Sequence, residues 1–318
     1  MPLAVTSVSV VVTAYRRTQY LEGAIRTALE QTSPPEEVVV VEDNPPYRPP
    51  STATVGSTSV RRFNLSLPNV GESLAFGIDH ATGDAVCFLD DDDRFEPDKV
   101  ARARRVFSDH PSVVFFRHAV SYIDGADRPI PPPHFPQRPF PTGEVAPSLS
   151  ALSRAQMSSH VSSMSIRRSA YAGQAELLRP IRAAPDHALY WLSQLPRTRT
   201  VWYAPEPLVR YRRHPGNMSA HPDEVVRYAE AARYMLERSH GAPSAERFVR
   251  GFDRSMRLRL AQVTGRRPTA RDVTAQLWDA LVRLSPFHLR QWAVGLRESI
   301  RPGRRGAARS APAPGSTP

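Results

Sequence analysis

The sequence has almost no cysteine. Cys87 is the only one among 318 residues, so no disulfide can form within the chain, which favours a reducing compartment. Cys87 lies inside an apolar run, where we expect it to be a small core residue.

Long hydrophobic runs are also missing. No stretch of 18 apolar residues occurs, which excludes a predicted membrane-spanning helix. The first residues contain no basic region ahead of their apolar stretch, so they do not resemble a signal peptide. We therefore expect a cytoplasmic protein.

Several motifs of common enzyme classes are absent. No Gly-x-Gly-x-x-Gly follows the first apolar run, which argues against a dinucleotide oxidoreductase, and no Walker A or His-Glu-x-x-His sequence is present. No nucleophile-elbow motif indicates a covalent Ser or Cys mechanism.

Lysine is scarce, whereas arginine is abundant. Lys99 is the only lysine among 42 Lys and Arg residues, and the formal net charge is +11. Arginine pairs with phosphate and carboxylate in a bidentate manner, so phosphorylated ligands, anionic membranes or nucleic acid are candidate partners. A GC-rich genome that favours arginine codons is the alternative explanation. The length allows one large domain with an appended subdomain.

The first 44 residues have the pattern of a strand, a helix and a second strand. Residues 8–15 and 36–44 are rich in valine and predict strands buried on both faces, while an apolar stripe beginning at Leu21 predicts the helix between them. Such a βαβ unit implies a right-handed crossover and a parallel sheet.

The following segments predict a continued α/β pattern up to residue 124. We expect a loop over residues 45–60, strands over 60–67 and 85–90, helices over 71–82 and 97–107, and one or two strands over 112–124.

The second half is more varied. Residues 129–147 contain eight prolines and predict a long surface loop that is a candidate lid. Beyond it we expect a strand and a helix near 160–173, a helix over 184–195, short strands and a loop over 200–219, and helices over 223–238, 244–263 and 269–284. We therefore divide the chain into an α/β domain (1–220), a helical extension (221–286) and a basic tail (287–318).

Four consecutive aspartates follow the predicted strand 85–90. At roughly 4 Å and an effective dielectric near 20, each close carboxylate pair costs about 4 kcal/mol. A solvated acidic turn is one explanation, but an EF-hand is excluded because Phe95 and Ala101 stand where Gly and Glu are required. The carboxyl edge of a parallel sheet is where ligands bind. We therefore favour a Mg²⁺ or Mn²⁺ site that is shared with substrate phosphates.

Several motifs in order give the chain a family resemblance. They are VSVVVTAYRRTQYLEGAIRTALEQT, VVVVEDN, ATGDAVCFLDDDDRFEPDKV, APDHALYWLSQL and YRRHPGNMS. Together they resemble the inverting, metal-dependent family 2 glycosyltransferases of the GT-A fold, over residues 8–219. The resemblance implies a Rossmann-like α/β fold with a mainly parallel central sheet flanked by helices, followed by the helical extension.

The resemblance implies a pocket for the donor nucleotide. Thr13 and Tyr15 would line the base, with Tyr15 stacking on it, and Arg16 or Arg17 would reach the diphosphate. Asp43 would accept a hydrogen bond from the imide N–H of uracil or thymine.

The resemblance also implies roles for the aspartates and the closing motif. Asp90 and Asp91 would lie beside the donor, and Asp92 would ligate the metal, with Asp91 and Asp93 as neighbours able to replace it. His214 would help to bind the metal or the diphosphate.

Asp186 matches the general base of the family, which takes the proton of the acceptor hydroxyl. The glutamate that usually precedes this base is replaced here by Pro185, and an aspartate that only complements the helix dipole is the alternative. Arg212 and Arg213 would contact the diphosphate.

The expected partners are a UDP- or dTDP-type sugar donor and a glycan or lipid-linked acceptor, with no nucleic acid. A nucleotidyltransferase and a non-catalytic sugar-nucleotide-binding protein are the alternative functions. The tail is either an amphipathic surface that rests on anionic lipid at the inner face of the cell membrane or a packed helix with a solvated end.

Overall fold

The computed structural model describes residues 7–132, 143–145, 159–195, 200–217 and 224–264, together with residues 270, 273 and 274. The strands are β1 Val8–Tyr15, β2 Glu37–Asp43, β3 Arg48–Val55, β4 Thr58–Asn64, β5 Ala85–Asp90, β6 Arg94–Phe95, β7 Val113–Ile123, β8 Gly143–Val145, β9 Met164–Arg167 and β10 Thr200–Arg212. The helices are α1 Leu21–Leu29, α2 Val70–His80, α3 Lys99–Asp109, α4 Arg168–Tyr171, α5 Pro185–Gln194, α6 Glu224–Glu237 and α7 Pro243–Val263.

All ten strands join in one sheet. Its order is β3-β4-β2-β1-β5-β9-β7-β10-β6, and β8 pairs with β10. Strands β4, β2, β1 and β5 run parallel, and β7 runs parallel to β10, whereas β9 runs antiparallel between β5 and β7. The predicted α/β fold with a mainly parallel sheet is confirmed.

Valine-rich β1 is buried on both faces because helices cover both sides of the sheet. Val11 packs into a core shared with α2, α5, α6 and α7, while Val10 and Val12 pack into a second core shared with α1 and α3. The continuous apolar run of this strand is the pattern expected for a central parallel strand.

Two segments differ from the sequence prediction. The segment 45–60, predicted as a loop, contains β3, which forms an antiparallel hairpin with β4. All eight residues of β3 are exposed, so the strand lacks the apolar alternation by which strands are recognised. The second segment, 200–212, is one strand rather than several short ones. Its pairing with β7 shifts register on both sides of Pro207, so the strand continues past a residue that cannot donate a backbone hydrogen bond.

Some predicted features lie outside the described residues. These are most of the proline-rich loop 129–147, nearly all of the helix predicted over 269–284, and the basic tail 287–318. Within the described ranges, no helix combines the length and apolar character needed to cross a membrane.

Candidate active site

The carboxyl ends of β1, β2 and β5 bring the predicted donor-binding residues together. In the parallel register, Thr13 of β1 lies beside Asp90 of β5, and Tyr15 lies beside Asp43 of β2. The Thr13 hydroxyl donates to Asp90 Oδ1 over 3.3 Å, and the Asp91 backbone N–H donates to the Thr13 carbonyl over 3.0 Å. The site is therefore built on adjacent strands of a buried sheet.

Asp93, the last of the four consecutive aspartates, points into the protein. Its carboxylate accepts a 2.6 Å hydrogen bond from the Ser162 hydroxyl and a 2.8 Å bond from the Arg212 backbone N–H. The side chain is fully buried. Asp93 thus joins β5 to β10 and the 3₁₀ turn Val161–Ser163, and the expectation that it could replace Asp92 as a metal ligand is at odds with this arrangement.

Asp91 and Asp92 share one guanidinium group. Arg17 places its Nη2 at 2.7 Å from Asp91 Oδ1 and at 2.9 Å from Asp92 Oδ2, and its Nε donates to Asp91 Oδ2 over 3.2 Å. The Arg17 Nη1 also donates to the Gly216 carbonyl. In this structure the arginine supplies the positive charge that relieves the repulsion between the two carboxylates.

His214 supports Asp92 from the closing motif. The Gly216 N–H donates to His214 Nδ1 over 3.1 Å, which assigns the ring proton to Nε2, and Nε2 lies 3.0 Å from Asp92 Oδ2. Asn217 fixes the loop by accepting from the His214 N–H and donating to the Arg212 carbonyl. With this tautomer His214 is a donor to Asp92, and metal ligation through Nε2 requires the proton to leave that nitrogen.

Burial and mutual repulsion weaken the acidity of the aspartate run. Burial, with the charges of Asp92 and Asp91, raises the pKa of Asp90 to about 8. Burial and the charge of Asp92 raise the pKa of Asp91 to about 6, although Arg17 opposes the shift. Burial and the charges of Asp92 and Asp90 raise the pKa of Asp93 well above its ordinary value. Such a cluster favours a cation.

Only one of the two carboxylate oxygens of Asp43 accepts a hydrogen bond. Its Oδ1 accepts from the Tyr47 hydroxyl over 2.8 Å, whereas the buried Oδ2 has no hydrogen-bond partner and lies 4.0 Å from Arg16 Nε. The Arg16 guanidinium covers the Tyr15 ring at 5.1 Å from its centroid, and Arg16 itself adopts a left-handed backbone with φ of 53°. Asp43 Oδ2, beside Tyr15 and Arg16, is therefore a buried acceptor that receives no hydrogen bond.

The two arginines predicted to contact the diphosphate are placed differently. Arg212 is fully buried and donates to the carbonyls of Asp92 and Asp124 and to the Asp127 carboxylate, while its guanidinium stacks over Tyr20 at 4.3 Å. These bonds commit Arg212 to the framework behind Asp92, so the expected diphosphate contact is not supported. Arg213 is exposed, and its role stays a prediction.

Asp186 lies in the first turn of α5, after Ala184 in a left-handed conformation (φ 57°) and Pro185. Its Oδ2 accepts from the His160 backbone N–H over 3.2 Å, and its Oδ1 accepts from the backbone N–H and from Nδ1 of His187 over 2.9 and 3.0 Å. Burial opposes ionisation of this group, but the charge and hydrogen bonds of His187 outweigh it and hold the pKa of Asp186 below its ordinary value.

Residues 9–158 match the sequence profile described as "Glycosyl transferase family 2". This region belongs to glycosyl transferase family 2. An uncharacterized glycosyltransferase of Nostoc sp. is 34% identical over 127 residues, which is 39% of each chain. Another, from Haemophilus influenzae, is 28% identical over 35% of this chain and 37% of its own. The chain thus matches about two fifths of the length of these curated relatives.

A solved structure shows that the fold extends beyond the family 2 region. The crystal structure of S. aureus TarS 1-349 in complex with UDP-GlcNAc aligns with a TM-score of 0.55 and 17% identity, over 93% of this chain and 81% of that one. The same TarS fragment without a named ligand aligns with a TM-score of 0.53. The GT-A fold is therefore shown for nearly the whole chain, including the parts that carry Asp186 and His214.

Sequence reasoning missed two residues that contact the candidate site. Tyr47, in the predicted loop, binds Asp43, and His187 binds Asp186. The position of His187 directly after the predicted base is the only signal that could have indicated it. No sequence signal indicates Tyr47, because the sequence does not show that the segment after β2 brings its hydroxyl back to Asp43.

Proposed function

We propose that the protein is an inverting glycosyltransferase that moves a sugar from a UDP- or dTDP-sugar to an acceptor hydroxyl. The observation that carries this proposal is the pairing of Asp90 and Asp92, at the end of β5, with Thr13 of β1 and His214 of the closing loop, within a family 2 fold. The nucleoside diphosphate is expected to lie along this edge of the sheet.

The base pocket supports a uracil or thymine ring. Asp43 Oδ2 is a buried acceptor that receives no hydrogen bond, with Arg16 Nε 4.0 Å away, and an imide N–H of the base supplies the donor that it lacks. Tyr15 is half-buried at the neighbouring register position and offers a ring face for stacking. Because TarS, of the same fold, was crystallised with UDP-GlcNAc, UDP-sugars are the first donors to test.

The residues present fit a divalent cation. The pKa values of Asp90 and Asp91 are raised by burial and by neighbouring carboxylates, so a positive charge between them is favoured. Among the described residues, no three His, Cys, Asp or Glu side chains converge as a complete ligand set. Asp92, with Asp90 beside it and His214 behind it, would therefore hold Mg²⁺ or Mn²⁺ together with the donor diphosphate. Bound there, the ion would stabilise the negative charge of the departing diphosphate.

The proposed general base is Asp186. Its lowered pKa keeps the carboxylate ionised at neutral pH, and its Oδ2, with one backbone donor, has lone pairs free to accept the proton of the acceptor hydroxyl. As that proton moves to Asp186, the hydroxyl oxygen attacks the anomeric carbon and the bond to the diphosphate oxygen breaks. This single displacement inverts the anomeric centre.

The first prediction is that Asp186→Asn abolishes turnover while donor binding survives. Wild-type protein incubated with UDP- and dTDP-sugars and MnCl₂ should release nucleoside diphosphate slowly, with water as the acceptor. We expect the variant to lose about 10²- to 10⁴-fold in rate, the usual contribution of a positioned base. Calorimetry should give UDP affinities within about twofold of wild type, because Asp186 lies outside the predicted base and diphosphate contacts.

Asp109→Asn, at the exposed end of α3, is the matched control and should retain activity. Unchanged turnover in Asp186→Asn would contradict the assigned base. Binding without turnover in the wild type would support a sugar-nucleotide-binding protein, and pyrophosphate release from a nucleoside triphosphate and a sugar phosphate would support a nucleotidyltransferase. The anomeric configuration of the product, measured by NMR, tests inversion.

A further inference from the structure

The imidazole of His187 lies between Asp186 and the C-terminal helices. An ionised carboxylate can only accept hydrogen bonds, so His187 Nδ1–H donates to Asp186 Oδ1 over 3.0 Å. The His187 backbone N–H donates to the same oxygen over 2.9 Å. Both bonds fall on Oδ1, so together with the single bond from the His160 backbone N–H to Oδ2 they hold the orientation of the carboxylate and leave lone-pair capacity on Oδ2 for a reacting hydroxyl.

The ring of His187 is held in place by an aromatic stack. Its centroid lies 4.1 Å from that of Phe252 with an interplanar angle of 24°, and 6.1 Å from that of Phe248 with an angle of 27°. Both phenylalanines belong to α7, and Phe252 is 7% exposed. A ring stacked on a buried partner cannot turn freely, so the direction of Nδ1–H is set by α7.

The helices are fixed to α5 by contacts that are independent of His187. Trp191 Nε1 donates to the Ser239 hydroxyl over 3.0 Å, between α6 and α7. Tyr190 packs edge-on against Phe248 with centroids 4.9 Å apart, and Trp191 packs against Tyr234 of α6. The position of Phe252 relative to Asp186 is therefore determined by packing between three helices.

We propose that His187 is a positioning residue for the general base Asp186, and that Phe252 clamps its imidazole so that helices α6 and α7 complete the active site. The proposal rests on the proposed function. It also explains how the base keeps its orientation although Pro185 stands where the family has a supporting glutamate: the support comes from the residue after the base instead of the residue before it.

Three variants separate the hydrogen bond from the stack. His187→Phe keeps an aromatic ring and removes the donor, His187→Asn keeps a donor close to Nδ1 and removes the stack, and Phe252→Leu loosens the clamp. We expect kcat for nucleotide release to fall about 10- to 100-fold in His187→Phe, as for a misplaced catalytic group, with the donor KM unchanged. His187→Asn should regain part of this loss, and Phe252→Leu should lie between His187→Asn and wild type.

The pH profile gives a second readout. The groups facing Asp186 are His187 on α5, His160 in the preceding segment, Arg117 on β7 and Tyr228 on α6. His187 is the largest contribution that lowers the pKa of Asp186, so its removal should raise that pKa. The base is active only when ionised, and the acid limb of kcat/KM should therefore move to higher pH in His187→Phe.

Phe107→Leu is the matched control, because Phe107 is also a buried phenylalanine but lies in the other core, where its ring packs edge-on against Phe116 of β7. It should reduce thermal stability to a similar degree as Phe252→Leu but leave kcat and the pH profile unchanged. An unchanged kcat and acid limb in His187→Phe, or a loss of kcat in Phe107→Leu equal to that in Phe252→Leu, would overturn the positioning role while the proposed function stands. A wild type that turns over no sugar nucleotide would overturn both.

Discussion

The four consecutive aspartates at the end of β5 are chemically identical, but each has different hydrogen-bond or ion-pair partners or a different geometry. Asp90 faces Thr13, Asp91 and Asp92 bind Arg17, and Asp93 binds Ser162. The sequence predicts that a positive charge must lie near the run, because the repulsion demands it. It cannot predict the division of roles, since the partners come from segments more than 60 residues away and the four residues are chemically identical.

Arg17 balances the negative charge of Asp91 and Asp92. Its pKa is raised above the ordinary value because the charges of Asp92 and Asp91 outweigh the cost of burial. We expect Arg17→Met to lower the free energy of unfolding in EDTA by about 2 kcal/mol, less than for a fully buried pair because 29% of the side chain is exposed. MnCl₂ should restore more stability to the variant than it adds to the wild type, because the cation replaces the missing charge.

Thermal unfolding with EDTA and with MnCl₂ measures both effects. Arg16→Met is the control, since the Arg16 side chain is 68% exposed and pairs with Asp43 instead of the aspartate run. If manganese stabilised Arg17→Met no more than it stabilised the wild type, the idea that a bound cation can replace the charge of the Arg17 guanidinium would be wrong.

At the scale of elements, the strands that the sequence predicted correctly are buried or half-buried. Strands β1, β2 and β5 are buried runs of valine and other apolar residues, and their pattern alone indicates a parallel sheet. Strand β3 could not be found in this way, because all of its residues are exposed and only pairing with β4 makes it a strand. The turn at Gly56, with φ of 59°, between runs rich in Thr and Val was the available signal.

The junction between α2 and the segment before α5 has no room for a side chain. A Cβ on Gly71 would lie 2.0 Å from the Leu178 carbonyl oxygen and 2.6 Å from that of Ile181, and the Gly71 N–H donates to the Ile181 carbonyl over 3.0 Å. Both obstacles are backbone atoms that cannot rotate away. We expect Gly71→Ala to lower the free energy of unfolding by about 1–3 kcal/mol, as overpacking does.

Urea unfolding followed by circular dichroism measures this loss. Gly125→Ala serves as the comparison, because the nearest atom there is the Tyr20 hydroxyl at 3.3 Å, at the end of a side chain that can shift. Equal midpoints for the two variants would show that the α2 junction tolerates a methyl group.

At the scale of the whole molecule, the sequence predicted that helices α6 and α7 exist but not where they pack. Their apolar stripes indicate a buried face, and a stripe does not name its partner. The structure places the stripes against α5, with Ala232, Met235, Val249 and Phe252 in the same core as Leu189. Contacts between elements distant in sequence determine this packing, so the link between the helices and Asp186 could be seen only in the folded chain.

The fold also encloses its only lysine. Lys99 is fully buried at the start of α3, where Nζ donates to the Ser165 hydroxyl over 2.8 Å and lies above the rings of Phe95 and Phe116 at 5.6 and 5.3 Å. Burial lowers the pKa of Lys99 to about 8, although nearby Cys87 partly opposes the shift. The charged form is therefore less favourable in the folded protein than in the unfolded chain.

This shift predicts how stability depends on pH. The ordinary pKa near 10.4 applies to the unfolded chain, so between about pH 8 and 10.4 the unfolded state binds more protons and the contribution of Lys99 to stability rises with pH. The whole shift corresponds to about 3 kcal/mol. Lys99→Met should thus be more stable than wild type at pH 7, and its advantage should shrink as the pH approaches 10.

Chemical unfolding of both proteins from pH 7 to 10 isolates this contribution, because other titrating groups cancel in the difference. Lys99→Arg is the sharper comparison: its guanidinium cannot release a proton in this range, so the destabilisation of this variant relative to Lys99→Met should persist at every pH. A constant difference between wild type and Lys99→Met would mean that Lys99 keeps its proton throughout, and that the hydroxyl of Ser165 and the two aromatic faces compensate fully for its burial.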